Sequence, residues 1–158
     1  MHPSQAALIV SLAKPYLKET AQIMDPFCGV GTLLIERAHL VPAREIYATD
    51  TYGDAITMGR ENAEFAKTRI NFIHRDFFDF RHDYKFDELI TDMPVRNRQT
   101  KAEMELFYER FFDKAAEHLV SGGIIVMYSN EIGFVKKQIR LRAVSYTHLR
   151  AHETDQYL

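Results

Sequence analysis

A single cysteine, Cys28, rules out an internal disulfide, and no Cys/His grouping has the spacing of a zinc site. No apolar run approaches the length that crosses a bilayer, and the N-terminus lacks the basic-then-apolar pattern of a secretion signal, so a cytoplasmic protein is expected. Net charge is small as well. With 20 basic and 22 acidic residues the chain sits at −2, which argues against a generic nucleic-acid-binding surface while leaving room for a local basic patch. What remains is 158 residues with 46% hydrophobic content, enough for one globular domain with a sizeable core.

The apolar residues alternate between two periods. Ala7, Leu8, Leu12 and Ala13 recur at helical spacing between Ser4, placed as an N-cap, and Leu17. Ala21 to Pro26 reads as a short buried strand and Thr32 to Leu40 as the helix after it. A second strand over Glu45 to Asp50, a helix over Asp54 to Lys67 and a third strand over Ile70 to Phe80 continue the rhythm. Phe86 to Thr91 is a fourth strand. Thr100 and Glu103 form a capping box that opens a long amphipathic helix through Leu106, Phe107, Phe111, Ala115 and Leu119. Ser121-Gly-Gly123 is expected to end that helix, Ile124 to Tyr128 to form a fifth strand, and Gly133 to Leu141 a last helix. Strands alternating with helices predict an α/β fold, a Rossmann-like doubly wound sheet that is mostly parallel and covered on both faces. In such sheets ligands sit outside the carboxyl ends of the strands, where the strand order reverses. Four strand ends carry an acid: Asp25, Asp50, Asp76 and Asp92.

The turn Met24-Asp-Pro-Phe-Cys-Gly-Val-Gly-Thr-Leu-Leu34 lacks the third glycine of a dinucleotide fingerprint, since Leu34 stands there, and it lacks the Gly-Lys-Ser/Thr of a P-loop. Asp25 in this loop would repel a pyrophosphate and favours a cationic ligand. S-adenosylmethionine meets these conditions: its ammonium can approach Asp25, its carboxylate can use backbone N–H groups, and Gly29 and Gly31 let the backbone come close. Asp50, 19 residues beyond Gly31, is placed for the two ribose hydroxyls. Asp76 is placed for an adenine amino group, with Phe77 against the ring.

DPFCGVGTLLIERA, the acid of YATD, the HRDFF stretch and TDMP together resemble class I S-adenosylmethionine-dependent methyltransferases. More narrowly, they resemble the RNA methylase family whose members often carry an N-terminal THUMP domain and methylate guanine N2. The resemblance runs from about His2 to Arg140. It implies a cofactor loop of Asp25, Pro26, Cys28, Gly29, Gly31 and Thr32, in which Cys28 reads as a small packed residue because no His or second Cys is placed to activate it. It also implies a leading helix, HPSQAALIVSLA, that closes the methionine end of the cofactor site. The family's sheet has seven strands in the order 3-2-1-4-5-7-6; this chain is expected to hold the order 3-2-1-4-5, with the last two strands missing and no THUMP domain before Met1.

Asp92-Met-Pro-Val95 matches the D/N-x-P signature of enzymes that methylate exocyclic or amide nitrogens, assigning catalysis to Asp92 and Pro94. The lone pair of such a nitrogen is delocalised, so hydrogen bonds to the Asp92 carboxylate and to a backbone carbonyl near Met93 or Pro94 must direct it at the methyl group. Met93, Val95, Arg96 and Arg98 fall on the substrate side. Val95 stands where most family members place Tyr or Phe, so it offers no ring for a target base to stack on. Arg96, Arg98 and Lys101 are placed to meet phosphates beside a flipped nucleotide of a tRNA or rRNA substrate. Methylation of a protein glutamine amide and a non-catalytic cofactor-binding remnant stand as alternatives. Residues 1–142 are expected to form the truncated methyltransferase domain. Residues 143–158 (AVSYTHLRAHETDQYL) have no clean period and resemble translated vector or adapter DNA, so they are expected to be a non-native tail. Within it His148 and His152, spaced i, i+4 and followed by Glu153, would suit a metal-binding helix face, but chance in a non-native tail is the expected reading. Without the last two strands, the fifth strand is expected to present an uncovered edge and promote self-association.

Overall fold

The computed structural model describes residues 1–142. The strands are β1 (Gln22–Asp25), β2 (Glu45–Asp50), β3 (Asn71–His74), β4 (Phe86–Asp92) and β5 (Leu119–Tyr128), all parallel in one sheet of order β3-β2-β1-β4-β5. Among the described residues five α-helices accompany them: α1 (Pro3–Ala13), α2 (Thr32–Leu40), α3 (Gly53–Phe65), α4 (Lys101–His118) and α5 (Ile132–Arg142). This is the expected doubly wound α/β architecture. The order reverses between β1 and β4, which places the crevice of the switch point over the ends of those two strands.

Side-chain alternation divides the core between the two faces of the sheet. Ile23 and Ile90 join Leu33, Leu34, Ile46, Ile56 and Phe72 under α1, α2 and α3. Their neighbours Met24 and Leu89 join Phe77, Phe86, Phe107, Phe111 and Val135 on the side of α4 and α5. Among the apolar residues a buried ion pair fixes α2 to the sheet. Arg37 Nε donates to Glu88 Oε1 at 2.8 Å and its Nη2 to Glu88 Oε2 at 3.0 Å, while Nη1 also donates to the Val41 carbonyl and Nη2 to the Lys18 carbonyl.

Several boundaries differ from expectation, each for a local reason. His2, not Ser4, caps α1: Pro3 needs no N–H partner at the first helical position, and His2 Nδ1 accepts from Ser4 N–H. The buried stripe of α1 is Ala6, Val10 and Ala13, against α2, while Leu8 and Leu12 face outward. Leu106 likewise lies on the outer face of α4. β3 stops at His74 because the Asp76 side chain accepts from Phe78 N–H and caps a single 3-10 turn, Phe77–Asp79, where a continuing strand was expected. α3 ends at Phe65, with Lys67 in the left-handed region at φ 54°. α4 ends at His118, before Ser121-Gly-Gly123, and that triplet lies inside β5. Pairing there jumps from Phe86↔Leu119 to Glu88↔Ile124, and Gly122 at φ 78° absorbs the extra residues as a bulge.

Phe72 of β3 lies against two glycines. A Cβ on Gly59 would come within 2.6 Å of the Phe72 ring, and one on Gly31 within 3.0 Å. Alanine at Gly59 gains about 1 kcal/mol of helix propensity but overpacks a buried ring, which costs about 1–3 kcal/mol. Gly59→Ala is therefore expected to lower the urea midpoint, and Phe72→Leu in the same chain to restore most of the loss. A Gly59→Ala protein at least as stable as the parent would show that α3 slides away from Phe72 at no cost.

Candidate active site

The loop between β1 and α2 is built over the ends of β1 and β2. Cys28 N–H donates to Thr49 O at 3.0 Å, Thr49 Oγ1 donates to Pro26 O at 2.9 Å, and Gly31 N–H closes the turn onto Cys28 O at 2.9 Å. Asn62 of α3 holds the outer side by donating to Val30 O at 3.0 Å. Gly29 adopts φ 53°, which a side chain resists, and a Cβ there would meet nothing within 4 Å. The loop is thus held from below and open above Gly29. Thr32 begins α2, whose N-cap Gly31 offers no side-chain acceptor, so the first-turn N–H groups lack a side-chain cap.

The strand-end acids share this rim. Asp50 Oδ2 accepts Gly29 N–H and Oδ1 accepts Tyr52 N–H, both at 2.9 Å, so the carboxylate fixes the loop through one lone pair on each oxygen. Asp25 is 1% exposed, and its Oδ1 takes Thr91 Oγ1 at 2.6 Å and Phe27 N–H at 3.0 Å. Burial pushes the Asp25 carboxyl up to about 7, beyond what those two hydrogen bonds offset, and the charges of Asp92 and Asp50 add to the rise. Burial, with Asp25 and Asp50 nearby, also pushes the Cys28 thiol up; Cys28 is a packed residue with little thiolate character. Asp76 stands just beyond Arg75, whose N–H donates to Asp50 O at 3.0 Å.

Asp92 closes β4 opposite Tyr128, and the next residue is pinned by Met93 N–H donating to Tyr128 O at 2.9 Å. Burial raises the half-buried Asp92 carboxyl, opposed in part by the positive charge of the Met1 amino group. The buried Tyr108 hydroxyl meets Ser129 Oγ at 2.6 Å; burial raises its pKa, with Glu131 and Asp92 adding negative charge nearby. Pro94 is partly buried, whereas Val95, Arg96 and Arg98 are exposed. The Arg96 guanidinium lies over the Phe107 ring at 4.4 Å.

The rim therefore gathers Asp25, Pro26, Cys28, Gly29, Thr32, Asp50, Asp76, Asp92 and Pro94, and burial and packing bear on three further residues. Phe77 is 1% exposed and packed among Phe27, Phe111 and His118, so its ring is not offered to a ligand. Gly31 lies against Phe72, where a Cβ would come within 3.0 Å of the ring. The Met93 side chain is buried in the core, which leaves only its backbone on the substrate side. Sequence reasoning missed Thr91, which supports Asp25, and Tyr52, a 65% exposed residue whose N–H donates to Asp50. The signal for Tyr52 is an aromatic two residues beyond the second strand. The His148, His152 and Glu153 grouping and the proposed tail lie outside the described residues.

Comparison with known proteins agrees with this geometry. The RMKL-like methyltransferase domain of UPF0020 matches residues 1–157. Over 130 residues, 80% of the chain, the sequence is 35% identical to the tRNA (guanine(10)-N2)-dimethyltransferase of Methanothermobacter thermautotrophicus and covers 38% of it. Over 155 residues, 86% of the chain, it is 26% identical to the release factor glutamine methyltransferase of Lactococcus lactis and covers 56% of that protein. The chain thus spans about four- to six-tenths of these curated relatives' length. TrmN from Thermus thermophilus shares the fold with a TM-score of 0.73 and 22% identity, over 87% of this chain and 41% of that one. A five-stranded class I methyltransferase sheet with its acids on one rim and a full-length family match lead to one conclusion: the chain belongs to the UPF0020 family, as an RMKL-like methyltransferase domain.

Proposed function

We propose that this domain is an S-adenosylmethionine-dependent N-methyltransferase acting on an exocyclic amino group of a nucleic-acid base, with guanine N2 of a tRNA or rRNA as the target. The observation that carries the reading is the Asp92-Met-Pro94 turn on the same rim as the Gly29 loop, close enough for Asp92 to raise Asp25. The donor set fits the cofactor. Above Gly29 there is space that a Cβ would enter, the first turn of α2 has N–H groups suited to a carboxylate, and Asp25 and Asp50 suit an ammonium and a ribose. Bound there, S-adenosylmethionine would supply an electrophilic methyl group.

The chain's own residues supply orientation. The Asp92 carboxylate accepts a hydrogen bond from the amino group, and the backbone carbonyl at Met93 or Pro94, held by the locked φ of proline and by the Met93 bond to Tyr128, accepts a second. Two acceptors favour a pyramidal nitrogen with its lone pair free to attack. The amine becomes strongly acidic only once it carries the methyl group, and Asp92, with its raised pKa, then holds the departing proton.

Calorimetry with S-adenosylmethionine, followed by transfer of labelled methyl to bulk RNA, tests the reading. Asp92→Ala is expected to lower kcat about 100- to 1,000-fold while cofactor affinity changes little. The similarity to a glutamine methyltransferase supports one competitor, methylation of a glutamine amide; a glutamine-containing peptide labelled in preference to RNA would favour it. Residual activity indifferent to Asp92→Ala would reduce the domain to a cofactor-binding remnant.

A further inference from the structure

Two arginines on the α4 side of the rim are held in the same unusual way. Arg96, four residues beyond Asp92, lies with its guanidinium over Phe107 at 4.4 Å, and Arg110, one turn further along α4, lies over Phe78 at 4.4 Å. The two rings are themselves in edge-to-face contact, with centroids 5.8 Å apart. Phe78 belongs to the 3-10 turn that Asp76 caps, and Phe107 also touches Phe27 of the Asp-Pro-Phe loop at 5.8 Å. The pair thus bridges the Asp76 end of the rim and the Asp92 turn.

Neither guanidinium has an acidic partner within 4 Å among the described residues. Of the five carboxylates of α4, four are engaged elsewhere, Glu103 in the capping box, Glu105 with Lys137, Asp113 with Arg142 and Glu117 with Lys114, and the fifth, Glu109, adjoins Arg110 in the chain. A guanidinium held over a ring has its side-chain entropy already reduced while its N–H groups stay available to another acceptor. Such a group suits a phosphate, which it can contact in bidentate fashion.

We infer that Arg96 and Arg110, mounted on the Phe107–Phe78 pair, grip the phosphodiester backbone of the RNA beside the target base. Arg110 joins the substrate side through this contact, to which no sequence motif points. The inference rests on the RNA reading above.

The test is fluorescence anisotropy of a fluorescein-labelled oligouridylate between about 20 and 200 mM salt, with each phosphate contact on a single strand contributing a slope of about 0.7 in log K against log salt. Arg96→Met/Arg110→Met keeps the stems on the rings and removes both charges, so the slope is expected to become shallower by about 1.4. Arg96→Lys/Arg110→Lys should keep most of the slope, and Arg69→Gln, on the exposed loop before β3, should change it no more than any distant surface charge. Unchanged affinity and slope in the double methionine variant, with RNA still bound, would overturn the grip alone. Absence of RNA binding by the parent while S-adenosylmethionine still binds would overturn the RNA reading with it. Binding of polyglutamate in preference to RNA, lost in the methionine variant, would assign the pair to an acidic protein partner and sink the inference.

Discussion

Replacing Glu88 by alanine is expected to cost about 3–5 kcal/mol of stability, because it strands the Arg37 guanidinium in a site that excludes water. Both side chains are at most 1% exposed, and Glu88 supplies the partners of two of the guanidinium's four hydrogen bonds. The Val41 and Lys18 carbonyls cannot neutralise a full charge. The loss should appear as a lower urea midpoint with the slope of the transition unchanged. A double change to apolar residues of similar volume, Arg37→Met with Glu88→Leu, is expected to recover most or all of it, since the desolvation of both charges disappears together. If Glu88→Ala cost less than about 1 kcal/mol, the pair would have to be reached by water. The pair also bears on function. Arg37 ties α2, and so the loop ahead of it, to β4 alongside the packing of Leu33 and Leu34 with Ile90, and β4 carries Asp92.

The parts of this protein that could be read from its sequence are those written in local periods. The α2 and β2 limits coincide with the structure because short apolar runs there are bounded by Gly31 and Asp50. The capping box of α4 is local as well, Thr100 and Glu103 serving each other across three residues. What escaped was written at long range or in the choice between neighbours. Arg37 and Glu88 are 51 residues apart, and Asp25 and Thr91 are 66 apart; nothing near either member announces its partner. Phe77 and Phe78 are adjacent and alike, and only the 3-10 turn set by Asp76 decides that the first faces the core and the second carries Arg110. The end of α4 departs from its local signal for a related reason. Ser121-Gly-Gly123 has the composition of a helix stop, yet β5 must begin at Leu119 to pair with Phe86, and the glycines serve a bulge.

Asp25→Asn should move stability and cofactor affinity in opposite directions. The Asp25 carboxyl is raised from 3.8 to about 7 by burial, so the folded protein holds a proton that the unfolded chain has released. Linkage then fixes the sign. This group's contribution is fully present below about pH 4, declines as the pH rises, and is gone once the pH passes about 7. Asparagine stays neutral throughout and keeps an oxygen for Thr91 and Phe27. The variant is therefore expected to match the parent near pH 4 and to exceed its stability above pH 7 by about 2–4 kcal/mol, the upper figure being the full three-unit shift. Retaining the acid makes sense if a cation uses it. An ammonium near Asp25 favours the carboxylate, so binding S-adenosylmethionine should release a proton, and parent affinity should climb with pH across roughly 5.5 to 7.5 at a slope approaching one log unit per pH unit. In Asp25→Asn the affinity should be weaker at pH 7.5 and flat across that range. Calorimetry in buffers of different ionisation enthalpy counts the proton directly. A variant less stable than the parent at pH 8 would mean that Asp25 is ionised and well solvated in the folded protein, and a parent affinity indifferent to pH would remove Asp25 from the cation's surroundings.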